Sequence, residues 1–314
     1  MTRLLITGGA GFIGSNLARR ALTEDGLQVT VLDNLSSGHA ANLDDLDITF
    51  IQGSILDDTA LDRAMVGVNC VVHLAAVADV LSSIADPPHC HTVNATGTVM
   101  VLEACRRHNI TQVVGASSSA VYGSNPASLK REHDWVRPLS PYGVSKLATE
   151  QYLLAYQTCF GLSTLALRFF NVYGPGQAAG HAYAAVIPAF VDALLAGRPL
   201  QVNGDGSQTR DFIYVGTVCE VLLEASLKGV SHPEPVNLAF STQTDLITLI
   251  AKLEQVTGLR ADTVHRPPQV GDVAHSQADH TSLRSLFPTI TPVPLTTGLE
   301  ETVSWFRTRR AMDA

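Results

Sequence analysis

Directly behind a short apolar run, Arg3–Thr7, the chain reads Thr7-Gly8-Gly9-Ala10-Gly11-Phe12-Ile13-Gly14 and enters a helical pattern over Phe12–Thr23. This junction restricts the fold more than any other stretch. A glycine-rich turn between a buried strand and a helix lets backbone approach a ligand closely and aims helix N–H groups at its negative charge, as a dinucleotide pyrophosphate requires. Gly8, Gly11 and Gly14 have Gly-x-x-Gly-x-x-Gly spacing, one residue wider at the start than the common dinucleotide fingerprint. Three glycines alone also describe a flexible turn. Asp33 tips the balance: it ends the next predicted strand, about 20 residues on, where a carboxylate accepts from adenosine ribose hydroxyls. The same charge repels a 2′-phosphate, and no arginine follows in Asn34-Leu35-Ser36-Ser37-Gly38, so NAD is expected rather than NADP.

Short β-branched runs then alternate with longer helical patterns. Predicted strands are Arg3–Thr7, Gln28–Leu32, Ile48–Gln52, Cys70–Leu74, Gln112–Ala116 and Ser163–Leu167, several of them apolar almost throughout, as strands covered on both faces are. Predicted helices include Phe12–Thr23, Asn94–Arg107 and Pro141–Phe160. Repeated β-α-β units imply right-handed crossovers and an α/β fold with a Rossmann-type doubly wound parallel sheet. After Gly174 prolines punctuate shorter elements. Residues 1–174, with a returning segment near 211–238, are expected to form the dinucleotide-binding domain, and 175–314 mainly a smaller α/β substrate-binding lobe.

A 46% hydrophobic, 16% charged chain of 314 residues fits a compact enzyme and excludes a disordered one. Its net charge of -8 is a poor match to nucleic acid. Cys70, Cys90, Cys105, Cys159 and Cys219 form no Cys-x-x-Cys pair, so buried reduced thiols are expected rather than a metal site. Met1–Ile6 enters a strand without a secretory leader, and no apolar stretch reaches about 18 residues. A cytoplasmic protein that neither spans a membrane nor holds a metal is the expectation.

Tyr142-Gly143-Val144-Ser145-Lys146 places Tyr and Lys four apart at a helix start, on one face. An ammonium near a phenol lowers its pKa and makes it a usable base; a surface Tyr and Lys is the bland alternative. Upstream, Ser117-Ser118-Ser119-Ala120-Val121-Tyr122-Gly123 follows a buried strand, and ligands of open α/β sheets sit beyond strand carboxyl ends.

With these motifs goes a set of further runs: His73-Leu74-Ala75-Ala76, Asn94-Ala95-Thr96-Gly97-Thr98, Arg168-Phe169-Phe170-Asn171-Val172-Tyr173-Gly174-Pro175, Gly204 through Phe212, and Gly271-Asp272-Val273. Together they resemble the extended short-chain dehydrogenase/reductases of the nucleotide-sugar epimerase/dehydratase family, closest in pattern to its UDP-glucose 4-epimerases. The resemblance implies NAD, a UDP-sugar substrate and a homodimer paired through helices at Asn94–Arg107 and Pro141–Phe160. It implies Tyr142 as base, Lys146 as its tuner and ribose ligand, and Ser118 as donor to the reacting hydroxyl. The cofactor would meet Gly8, Gly11, Phe12, Ile13, Gly14, Asp33, Asn34, Ser37, Gly38, Ser54, Ile55, Leu74, Ala75, Ala76 and Asn94. Asn171, Arg210, Asp272 and Ser276, with Ser118 and Tyr142, would contact the nucleotide sugar.

Two positions depart from the family pattern. Ser54 stands where an adenine-contacting Asp is common, and Gln269 where an Arg helps clamp the diphosphate, with Arg266 as the nearby alternative. Ser119-Ala120 follows the catalytic hydroxyl where related dehydratases commonly carry Asp-Glu and decarboxylases a Glu. Epimerisation at carbon 4 is therefore expected over elimination or decarboxylation. A non-catalytic NAD-binding sensor and a simple carbonyl reductase are the alternatives from other classes. Ser276, four residues after Asp272, lies where a small residue admits N-acetylhexosamines in related epimerases.

Overall fold

Seven parallel strands form the centre of the computed structural model, which describes residues 2–179, 185–267 and 276–312. In chain order they are β1 (Thr2–Thr7), β2 (Leu27–Asp33), β3 (Thr49–Gln52), β4 (Cys70–His73), β5 (Gln112–Ser118), β6 (Ser163–Phe169) and β7 (Val236–Leu238). Their spatial order is β7-β6-β5-β4-β1-β2-β3. The order runs outward both ways from the β1–β4 pair, and at such a switch point the carboxyl strand ends open a crevice for a ligand. This is the Rossmann-type α/β fold that the alternating pattern predicts.

Period-two side chains of the sheet feed two apolar layers. Leu4, Ile6, Val29, Val31 and Val72 pack with helices α1 (Phe12–Ala21) and, later in the chain, Val215–Leu227. Leu5, Leu32, Val71 and Val113 pack on the other face with α2 (Asp58–Ala64), α3 (Gly97–Arg107) and α4 (Pro141–Phe160). The helix Val215–Leu227 is α5; it lies against α1, and the chain then adds β7 beside β6.

Helix α4 matches its predicted span because both ends are punctuated. Ser140 caps it by accepting from Gly143 N–H at 3.1 Å, Pro141 opens it, and Gly161 leaves it in the left-handed region at φ 72°. The helix predicted from Asn94 differs: the helical path begins at Pro87, and Thr92–Thr96 form a π turn before α3. The three-residue β7 has no counterpart among the predicted strands.

Helices Val186–Leu195, Leu246–Thr257 and Leu295–Met312 pack together beside two small strand pairs, Leu200–Asn203 with Thr263–Arg266 and Thr209–Arg210 with Thr244–Asp245. Among the described residues no helix is long and apolar enough to cross a membrane, and no cluster of three or more His, Cys, Asp or Glu could hold a metal. Four cysteines are buried, but Cys159 is exposed, because the last turn of α4 turns it away from the sheet.

Candidate active site

The crevice is built first from backbone. Gly8 has φ 72°, and a Cβ there would lie 2.7 Å from Ala75 N. A Cβ on Gly14 would sit 2.4 Å from Gly8 O, and one on Gly38 2.7 Å from the Ala10 carbonyl carbon. The turn thus closes on itself, on Leu74-Ala75-Ala76 and on the Asn34–Gly38 loop. Gly11 forms the N-cap of α1 without a side-chain cap, which leaves the first-turn amides of Phe12 and Ile13 for an anion.

Asp33, 8% exposed, accepts from Ala10 N–H at 2.9 Å on one oxygen and from Leu35 N–H at 2.8 Å on the other. Each oxygen keeps acceptor capacity for a hydroxyl. Asn34 and Ser37 are exposed beside it. Ser54 Oγ accepts from Leu56 N–H at 3.1 Å, and Ile55 is buried against the start of α3.

Ser118 ends β5, and its Oγ accepts from Ala120 N–H at 3.1 Å. Tyr142 lies in the first turn of α4; its backbone N–H donates to Ser83 Oγ at 3.0 Å, so a hydroxyl remote in sequence anchors the turn that presents the phenol. Lys146 lies one turn on, 5% exposed, its Nζ donating to the Ala116 carbonyl at 2.8 Å. The electrostatics differ from the spacing-based expectation. Burial pushes the Tyr142 phenol above its ordinary value, opposed by a hydrogen bond with Ser118 rather than by the lysine charge. Burial also pushes Lys146 down to about 8. Desolvation is the leading cause for both groups in so enclosed a place.

Beneath the site runs a relay that the sequence reading did not assign. Ala75 N–H donates to Thr7 Oγ1 at 3.3 Å, and Thr7 lies 2.8 Å from His73 Nδ1. His73 Nε2 lies 3.1 Å from Thr98 Oγ1, which donates to Asn94 O at 2.6 Å. The outer donors fix the order: Thr7 donates to Nδ1, and Nε2–H donates to Thr98. Burial holds the His73 pKa down to about 3, so the ring stays neutral as a connector. The Asn94 side chain bonds both polar groups of Val77 and donates to Ser145 Oγ at 2.8 Å. It joins the loop after β4 to α4 from a fully buried position on the π turn.

One turn beyond Lys146, Glu150 pairs with Arg168 of β6 through bonds of 2.9 and 2.8 Å, both side chains almost wholly buried. Ser117 donates to the same carboxylate at 2.9 Å, and Arg168 reaches Tyr122 OH at 2.9 Å. Only the Arg168 run hinted at this arrangement, since Glu150 has no local partner.

Across the crevice Asn171, Arg210, Phe212, Val186 and Ile187 line a cavity of about 210 Å³. Ser276 N–H donates to Thr209 O at 3.1 Å, next to the Arg210 strand. Arg266 is exposed, with its Nε donating to Gln201 at 2.7 Å. Asp272 and Gln269 lie outside the described residues.

A family model described as "NAD dependent epimerase/dehydratase family" matches residues 4–239, which reach all seven strands and take in α4. The chain belongs to that family. A UDP-glucose 4-epimerase of Mycolicibacterium smegmatis is 37% identical over 98% of this chain and 99% of its own length. A dTDP-glucose 4,6-dehydratase of Streptomyces niveus is 33% identical over 98% of this chain and 94% of its own. In structure, the UDP-N-acetylglucosamine 4-epimerase of Methanobrevibacter ruminantium, in complex with UDP-N-acetylmuramic acid, superposes with a TM-score of 0.91 at 34% identity, covering 98% and 99% of the two chains. As in the epimerase/dehydratase family at large, the cofactor is NAD. The glycine cradle that any Cβ would fill, and the spare acceptor capacity of Asp33, fit that group.

Proposed function

We propose that this chain interconverts nucleotide sugars epimeric at carbon 4, through a 4-keto sugar. The observation that carries the reading is the turn Ser119–Val121: behind Ser118 it offers Ser119 and Ala120, and no carboxyl group with which to drive elimination. The dehydratase and decarboxylase alternatives are disfavoured on the same ground. A sensor that only binds NAD would have no need of Ser118, Tyr142 and Lys146 together.

In this reading Tyr142 takes the proton of the 4-hydroxyl while Ser118 hydrogen-bonds the same oxygen. Lys146 holds the nicotinamide ribose and, when charged, offsets the cost of ionising a buried phenol. NAD, when bound, would supply the hydride acceptor and donor for the sugar carbon. Gly8, Gly11, Phe12, Ile13 and Gly14 hold the pyrophosphate and Asp33 the adenosine ribose. Asn34, Ser37, Gly38, Ser54 and Ile55 flank the adenosine, and Leu74, Ala75, Ala76 and Asn94 the nicotinamide side. Asn171, Arg210 and Asp272 serve the nucleotide diphosphate and uridine. UDP-glucose and UDP-galactose are the proposed pair, extended to N-acetylhexosamines by the small Ser276.

We also propose a cytoplasmic homodimer. Val144, Tyr152, Ala155 and Cys159 are exposed along one stripe of α4, with the half-buried Ala148 between them; Val144 is 55% and Tyr152 41% exposed. The reaction is tested by incubating the protein and NAD with UDP-glucose and separating the products. UDP-galactose at equilibrium without net NADH is expected; a 4-keto-6-deoxy product instead would overturn the epimerase reading.

A further inference from the structure

Asp211 stands between Arg210 and Phe212 and is fully buried. Its carboxylate meets donors only. Thr242 N–H and Thr242 Oγ1 reach one oxygen at 3.1 and 2.8 Å, and Ala278 N–H reaches the other at 3.1 Å. Its main-chain carbonyl accepts from Asn171 twice, from N at 3.3 Å and from Nδ2 at 3.2 Å.

These bonds converge on the far wall of the crevice. Arg210 is covalently next to Asp211. The Asn171 amide is oriented by its carbonyl. The bond to Ala278 N–H ties down the strand Gln277–Ala278, and so the Ser276 that precedes it. Elements from three remote parts of the chain therefore meet at one buried carboxylate.

We infer that Asp211 is a positioning residue that holds Asn171, Arg210 and the Ser276 segment in register to receive a nucleoside diphosphate sugar. The inference rests on the nucleotide-sugar reading of the site. Burial alone pushes the carboxyl pKa up, and the donors around it oppose that shift. A neutral amide of the same shape cannot replace the carboxylate here. One of its two ends would present N–H to N–H, which leaves buried donors facing each other.

The arrangement separates two affinities. The glycine cradle is built from β1, β2 and β4 and contains none of the bonds to Asp211. Asp211→Asn should therefore weaken UDP binding by about tenfold or more, the effect of losing hydrogen bonds to a charged acceptor, while the NAD dissociation constant stays within about twofold. KM for UDP-glucose should rise with little change in kcat. Thr242→Val, at an exposed position, removes only the hydroxyl donor and should shift UDP affinity the same way by a smaller factor.

The experiment is calorimetric titration of the full-length parent and both variants with UDP, and separately with NAD, together with thermal melts. Selective loss of UDP affinity in Asp211→Asn and Thr242→Val supports the inference. Unchanged UDP affinity, or equal loss of UDP and NAD affinity, overturns it. If Asp211→Asn does not fold, Thr242→Val decides by the same criterion. Absence of epimerase activity in the parent would sink the proposed reaction and leave the UDP titrations to judge Asp211.

Discussion

At the scale of single residues the site is governed by desolvation. Lys146 has its pKa lowered from 10.5 to about 8, so its stability contribution is present above the unfolded value and lost as pH falls through 8. At neutral pH the buried ammonium costs the fold about 3 kcal/mol before its bond to Ala116 O is counted. Lys146→Met should consequently melt no lower than the parent at pH 7 while losing turnover; a large drop in melting temperature would contradict this. In the parent, the charged form that the proposed mechanism uses is populated below about 8. Turnover should fall on the alkaline side of that value, measured as kcat/KM against pH. His73, held near 3, contributes no limb in the working range. Tyr142→Phe should retain NAD and nearly abolish turnover, the direct check on the proposed base. Ser276→Tyr should exclude UDP-N-acetylglucosamine more than UDP-glucose, since overfilling a fitted site is costly; an unchanged ratio of kcat/KM values would remove Ser276 from the pocket.

Elements were legible where local chemistry punctuates them. Ser140, Pro141 and Gly161 announce α4 in the sequence, and the glycine run announces α1. The π turn Thr92–Thr96 was not legible, because Asn94 is drawn there by Val77 and Ser145, partners that no local pattern names. Nor was β7: three residues gain strand character only from β6, laid down much earlier in the chain. The ion pair behind α4 was hidden for the same reason, since Glu150 reads as an ordinary helix glutamate until Arg168 faces it. The glycine turn is the element whose geometry carries the most specific expectation. Gly14→Ala would force a methyl to 2.4 Å from Gly8 O, so the turn must open. NAD affinity should fall by more than about tenfold, with UDP affinity, supplied across the crevice, much less affected. Parallel titrations with the two ligands test this.

Over the whole molecule, a net charge of -8 makes like copies repel one another, so pairing requires an apolar face that offsets the repulsion. The stripe on α4 is such a face in the proposed dimer. Tyr152→Glu places a charge at its centre and should convert a dimer to a monomer at micromolar concentration, read by analytical ultracentrifugation; a monomeric parent would remove the proposal.

The late arrival of α5 and β7 has a consequence for how such a chain can be divided. A fragment ending at Gly174 would lack the helix that covers α1 and the strand that shields β6, and would leave apolar surface and a bare sheet edge in water. Residues 1–174 are thus not a detachable cassette. Recombination or gene splitting at the point where sequence character changes would yield two pieces that recover activity only by reassociating.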